Sequence, residues 1–77
     1  MNKPRREELA RALELLGQAR DIIESVKDDE TDAYENLPES FQESERGEQM
    51  SEYIDSMDES LSYIDDVADM LNDIVEG

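Results

Sequence analysis

The chain has 77 residues, with 23 Asp or Glu against 7 Lys or Arg, and its net charge is −16. This length allows one small domain, and at this size a single core seldom supplies more than about 3–5 kcal/mol. The charge argues against nucleic acid or an anionic membrane as a direct partner and favours a basic protein surface.

Cysteine and histidine are absent. Disulfides and the preferred zinc ligands are therefore excluded, and such a composition is typical of a cytoplasmic protein. No apolar run approaches the roughly 18 residues of a transmembrane span. We expect no cofactor, no bound metal and no contact with a membrane.

The first predicted helix spans residues 5–35, approximately. Pro4 suits a first helical turn, and Pro38 disfavours helical geometry in Leu37. Residues 1–27 hold six of the seven basic side chains. Apolar residues recur every three or four positions, as on the packed face of a helix. They are Leu9, Ala12, Leu16, Ala19, Ile23 and Val26.

Residues 36–43 are expected to form the tip between two helices. Ser40 and Glu43 have the spacing of a capping box, and Ser44 is an alternative N-cap. We expect Tyr34, Leu37 and Phe41 to cover the end of the core.

An acidic segment before the tip has some features of a calcium loop. Asp28, Glu30, Asp32, Asn36 and Glu39 have the spacing of ligand positions in an EF-hand loop. However, Ala33 stands where that loop needs glycine, and Pro38 stands just before its last ligand. An ordinary acidic helix end is the favoured interpretation.

The second predicted helix spans residues 44–75, approximately. Residues 28–77 hold 18 acidic residues and one basic residue, Arg46. Within this acidic half, apolar residues alternate at spacings of four and three, which is a heptad pattern. They are Met50, Ile54, Met57, Leu61, Ile64, Ala68, Leu71 and Val75.

The two apolar rows match each other when the chain folds back on itself. In an antiparallel register where paired residue numbers sum to about 80, Leu9 faces Leu71 and Val26 faces Ile54. Ala33 facing Gly47 adds a layer near the tip. One flank then offers Arg6, Leu13, Arg20 and Lys27 to Ser51, Asp58, Asp65 and Asn72. The pattern predicts an all-α, coiled-coil-like antiparallel two-helix hairpin, with ion pairs on that flank.

The opposite flank is apolar and has no partner within the hairpin. We call it the apolar edge. A long exposed apolar strip is a liability on a lone protein, so we predict a homodimer that forms a four-helix bundle. Docking onto a different protein is the alternative. The apolar edge consists of Leu15, Ile22, Tyr53, Tyr63, Val67, Met70 and Ile74.

The outer face of the second helix is the candidate binding site, and we call it the acidic ridge. Like charges three or four residues apart destabilise a helix by about 0.2–0.5 kcal/mol per pair, and no Lys or Arg relieves them. A face resembling a row of phosphates is one interpretation, and an ordinary solvated face is the other. No pocket that would tune a catalytic carboxyl is expected, so we predict no enzymatic activity. The acidic ridge consists of Glu52, Asp55, Glu59, Asp66, Asp69, Asp73 and Glu76.

Residues 34–50 read YENLPESFQESERGEQM. This segment resembles the centre of small acidic proteins of unassigned function from Firmicutes and their phages, in which acidic heptads follow. The resemblance covers about residues 28–77, and its central motif is more specific than its heptads. It implies a phage or mobile-element origin and residence in the host cytoplasm. It also implies a DNA mimic that inhibits host defence, of the anti-CRISPR or anti-restriction type.

Overall fold

The computed structural model describes all 77 residues, as three helices without a strand. Helix α1 spans Lys3–Glu35, α2 spans Glu39–Gln42, and α3 spans Glu45–Glu76. The long helices α1 and α3 pack against each other in a body that measures 58 × 15 × 13 Å. The predicted all-α hairpin is therefore confirmed. No helix is long and apolar enough to cross a membrane.

Helix α1 begins earlier than predicted because the residue before it is a good N-cap. The side-chain oxygen of Asn2 accepts a hydrogen bond from the backbone N–H of Arg5 at 3.0 Å. This bond satisfies one of the free N–H groups of the first turn. The helix consequently starts at Lys3, with Pro4 in its first turn, and ends at Glu35 as expected.

The tip contains the short helix α2, which the sequence pattern did not predict. The Gln42 side-chain amide donates to the backbone carbonyls of Tyr34 and Leu37, both at 3.1 Å. It thereby joins α2 to the last turn of α1, which contains Tyr34, and to Leu37 just beyond that turn. Ser40 lies inside α2, so its predicted capping role is wrong. Ser44 caps α3 instead, and its Oγ accepts from the Gly47 N–H at 3.3 Å.

The packed face of α3 agrees with the predicted heptad. Leu61 is the most enclosed hydrophobic residue, with 6% of its surface exposed. The other seven residues of the row are partly buried. Apart from Leu61, Gly47 is the only buried residue of the chain. The hairpin thus has a continuous but thin core.

The packed face of α1 agrees with the prediction only as far as Ile23. Val26 is 50% exposed, so its predicted layer with Ile54 is wrong. Lys27, Glu30 and Tyr34 are partly buried in its place. A helix of 3.6 residues per turn drifts by about 20° per heptad relative to a 3.5-residue repeat. The inward face has therefore moved by one residue near the tip.

Gly47 is buried for a different reason from the one expected. Ala33, its predicted partner, is exposed. A Cβ on Gly47 would instead overlap the backbone carbonyl oxygens of Phe41 and Gln42. Glycine therefore lets α2 approach the first turn of α3. The Phe41 side chain is 58% exposed, so it does not cover the core as predicted.

Candidate functional site

Two ion pairs join α1 to α3 along one flank. The Arg20 guanidinium contacts both carboxylate oxygens of Asp65, at 2.7 and 3.2 Å. Lys27 Nζ lies 2.7 Å from Asp58 Oδ1. The residue numbers of each pair sum to 85, so the two pairs belong to one antiparallel register, and all four residues lie on the flank where the sequence placed them. The predicted ion pairs on this flank, and the antiparallel packing of α1 against α3, are therefore confirmed.

The same flank has one basic residue that gains no partner. Arg6 is partly buried, and its Nε is enclosed without a hydrogen-bond partner. It forms no ion pair with α3, whereas Arg20 also contacts Glu24 at 2.7 Å. The complementary charge on this flank is thus confined to the middle of the hairpin.

The Arg20–Asp65 pair makes a testable contribution to stability. The hydrogen bond from Arg20 lowers the pKa of Asp65 below its usual value, which is about 3.9 in an unfolded chain. A carboxyl with a depressed folded-state pKa stabilises the fold above the unfolded value, and its effect disappears as pH falls through the folded value. We expect Asp65→Asn to melt below the parent protein at pH 7.

The melting temperatures of the two proteins should converge between pH 4 and pH 2, roughly, as Asp65 becomes protonated. The comparison between variant and parent matters because acid also relieves repulsion elsewhere in both proteins. Circular dichroism melts at matched ionic strength measure this difference. A gap that is unchanged at pH 2 would show that the carboxylate is not what stabilises the hairpin.

The acidic ridge lies on the outer face of α3, away from these pairs. All seven of its side chains are exposed. None of them takes part in an ion pair. The acidic partners in the interhelical pairs are Asp58 and Asp65, which do not belong to the ridge. One ridge carboxylate has a hydrogen bond, in which the Tyr63 hydroxyl donates to Glu59 at 2.8 Å. This bond raises the pKa of Tyr63. The ridge is therefore a row of charge that the protein leaves uncompensated.

A second acidic row runs along α1, and the sequence reasoning missed it. Its members are exposed and recur every seven residues, which is about 10.5 Å of helix. The seven-residue spacing was the signal that could have revealed it. Only the first member has a basic partner, Lys3, at 4.0 Å. The second acidic row consists of Glu7, Glu14, Asp21, Asp28 and Glu35.

The apolar edge is exposed throughout, in agreement with its predicted position. The exposed fractions of its side chains run from 39% for Val67 to 65% for Ile22. Val26 joins this side of the hairpin because of the drift described above. In α3, four edge residues repeat at spacings of four, three and four. They are Tyr63, Val67, Met70 and Ile74. This half of α3 therefore has two apolar faces, and the hairpin packs only one.

The residues that resembled a calcium loop lie in helical segments. Asp28, Glu30 and Asp32 belong to the continuous helix α1, and Glu39 begins α2. No cluster of three or more Asp or Glu side chains has an arrangement that could hold a metal ion. These residues add to the negative charge of the tip.

A scan against protein-family models and searches of curated proteins and solved structures returned no match for this chain. The features of this chain that bear on function are therefore the charge and shape of the acidic ridge and the apolar edge.

Proposed function

We propose that this chain is a non-enzymatic binding protein whose acidic ridge engages a basic protein surface, of the kind that otherwise binds nucleic acid. The observation that supports it best is the division among the carboxylates of α3. Those that face α1 are held in ion pairs at 2.7 Å, whereas all seven of the ridge are exposed and free of ion pairs. The hairpin gains nothing from the ridge, because repulsion between its five adjacent pairs costs about 1–2.5 kcal/mol.

The charge density supports a likeness to nucleic acid. A charge of −16 spread over 58 Å gives about one charge per 3.6 Å. Duplex DNA has one charge per 1.7 Å of helix axis, approximately. Two hairpins lying side by side would have about one charge per 1.8 Å. A dimer would therefore offer a basic protein nearly the charge density of DNA.

The resemblance of residues 34–50 gives the proposal a narrower form. If the chain shares the phage or mobile-element origin of the proteins it resembles, its partner is a nucleic-acid-binding defence protein in the host cytoplasm. The chain would then act as an inhibitor of the anti-CRISPR or anti-restriction type by occupying a DNA-binding surface. Binding of a basic surface by the acidic ridge does not depend on this origin.

Self-association through the apolar edge is part of the proposed function. Two buried residues in 77 make a thin core for a stable monomer. Packing two hairpins edge to edge would bury seven large apolar side chains from each copy and form a four-helix bundle. The homodimer is therefore the form in which we propose that the acidic ridge meets its partner.

Charge variants test the role of the acidic ridge. Changing Asp66, Asp69 and Asp73 to Asn lowers the net charge from −16 to −13. We expect this variant to lose at least tenfold in affinity for a basic partner, captured from host extract with the parent protein and then purified. Calorimetry or fluorescence anisotropy at 100 mM salt measures the affinity. Duplex DNA should compete with the parent protein for that partner.

The matched control makes the same change of charge on the second acidic row. Glu7, Glu14 and Asp21 changed to Gln, Gln and Asn also give a net charge of −13. We expect this control to retain most of the affinity. Equal losses in both variants would show that total charge, and not the acidic ridge, is recognised.

A second candidate function is supported by the exposure of the apolar edge. The chain would be an assembly protein that binds through the edge and tip, with its acidity serving solubility. Salt separates the candidates, because the Debye length shrinks to about 3 Å in 1 M salt. Binding by the acidic ridge should weaken steeply between 0.1 and 1 M NaCl, roughly. Affinity that survives molar salt would favour the assembly protein.

A further inference from the structure

One face of the hairpin contains almost no acid. Helix α3 has 11 acidic residues, yet four of its seven heptad rows contain none. Two of these four are the packed apolar rows that face α1. The other two lie beside the packed rows, on the side opposite the Arg20–Asp65 pair, and they include the α3 part of the apolar edge. Their members between the tip and the base are Arg46, Gln49, Tyr53, Ser56, Ser60, Tyr63, Val67, Met70 and Ile74.

The adjacent rows of α1 continue this face. From Arg11 to Ser25 they hold Arg11, Leu15, Gln18, Ile22 and Ser25 without a carboxylate, and the acidic members of these rows, Glu8, Asp29 and Asp32, lie outside that stretch. We call the combined surface the acid-free face. In a chain whose charged residues are 23 acids and 7 bases, such a face is unsuited to a basic partner. A second copy, with the same −16 charge, is the occupant that most needs a contact surface without carboxylates.

Negative charge is also distributed unevenly along the hairpin. The third at the end with the two termini, residues 1–12 and 68–77, holds five acidic and four basic residues, for a charge of −1. The middle third, residues 13–25 and 55–67, holds eight acids and one base, for a charge of −7. The tip third, residues 26–54, holds ten acids and two bases, for a charge of −8. The tip is therefore the end that a second copy should avoid.

We propose that two copies pack through the acid-free face with their tips at opposite ends. The successive thirds of this dimer would have charges of −9, −14 and −9, whereas tips at the same end would give −16, −14 and −2. The opposed arrangement separates the two acidic tips by most of the 58 Å length. It also spreads the charge more evenly than tips at the same end would, and the value of this spread for binding rests on the proposed likeness to nucleic acid.

The absence of cysteine in the parent sequence makes site-specific labelling direct. Ser40→Cys places one nitroxide label at each tip, and Ser62→Cys places one at the middle of each α3. Pulsed electron–electron double resonance then measures the distance between the labels on the two copies. For Ser62→Cys we expect a distance that is set by the thickness of two adjacent hairpins, each of which is 13–15 Å thick. For Ser40→Cys we expect a distance approaching 58 Å.

Each other outcome overturns the proposal. A short distance between the tip labels would mean that the tips lie together. No dipolar signal from either variant would mean that the chain is monomeric. The measurement needs no partner protein, so it is independent of the ridge experiment. A labelled protein that also carries the three ridge Asn substitutions should keep the long tip distance even though it has lost its partner.

Discussion

Replacing Gly47 with Ala is expected to destabilise the hairpin by about 1–3 kcal/mol, the usual cost of overpacking. A methyl group there would overlap the Phe41 and Gln42 carbonyl oxygens, and it would lie 2.6 Å from the Gln42 carbonyl carbon. Backbone atoms cannot move aside as a flexible side chain can. Helix α2 would have to separate from α3, and the Gln42 hydrogen bonds to the end of α1 would be strained or lost. Urea unfolding followed by circular dichroism measures the change.

Gly17 provides the matched control. It is exposed in the middle of α1, and a Cβ built there meets no atom within 4 Å. Gly17→Ala should therefore stabilise the hairpin by about 0.5–1 kcal/mol through helix propensity. Both glycines lie inside long helices, so propensity alone would give both variants the same sign. Stabilisation of the protein by Gly47→Ala would show that the close approach of α2 is not needed.

The tip residues that carry the resemblance have structural roles in the hairpin. Within residues 34–50, Gln42 joins α2 to the end of α1, Ser44 caps α3, and Gly47 admits α2. These residues all serve the reversal of the chain. Proteins that share this motif would therefore share the way the tip folds, and the motif by itself does not locate a binding surface.

The packed apolar rows and the flank that carries the ion pairs were predictable because both depend on the heptad repeat. A heptad in each half of the chain fixes which residues face inward, and the register follows from matching the two rows. The placement of Arg20 and Lys27 on the same flank as Asp58 and Asp65 follows from that register, whereas the choice of partner for each base is given by the structure. Local spacing was sufficient to predict the packed residues wherever the inward face of each helix stays in phase with the 3.5-residue repeat.

The tip was less predictable because its contacts are not periodic. Helix α2 has four residues, too few for a pattern to indicate it. The exposure of Val26 results from a drift that accumulates over several turns of α1. A template with a fixed heptad cannot represent such a drift. The side chains of the acidic ridge and the apolar edge are exposed, as their predicted positions require, whereas their roles stay predictions because they depend on partners that a single sequence does not specify.

Placing one carboxylate on the apolar edge should separate the two copies. Val67→Glu changes an edge residue that is 39% exposed in the single hairpin and lies on the acid-free face. In the proposed dimer each copy would place a new carboxylate in the interface, either buried or facing the carboxylate of the other copy. Burying or opposing these charges costs several kcal/mol. We expect dimerisation to weaken by about 100-fold or more, since each 1.4 kcal/mol is a factor of ten. Sedimentation equilibrium should then report about 8.9 kDa in place of twice that mass.

Gly17→Glu is the control for this change, because it adds the same charge to an exposed position on the far side of α1. It should remain dimeric with at most a small loss of affinity, since its carboxylate stays in solvent. Circular dichroism of Val67→Glu at the same concentrations distinguishes dissociation from unfolding. Because the single hairpin has a thin core, the separated variant should also melt at a lower temperature than the parent. A parent protein that sediments as a monomer would leave the apolar edge open to a different protein and would contradict self-association. A dimer that tolerates Glu at position 67 would place the interface elsewhere.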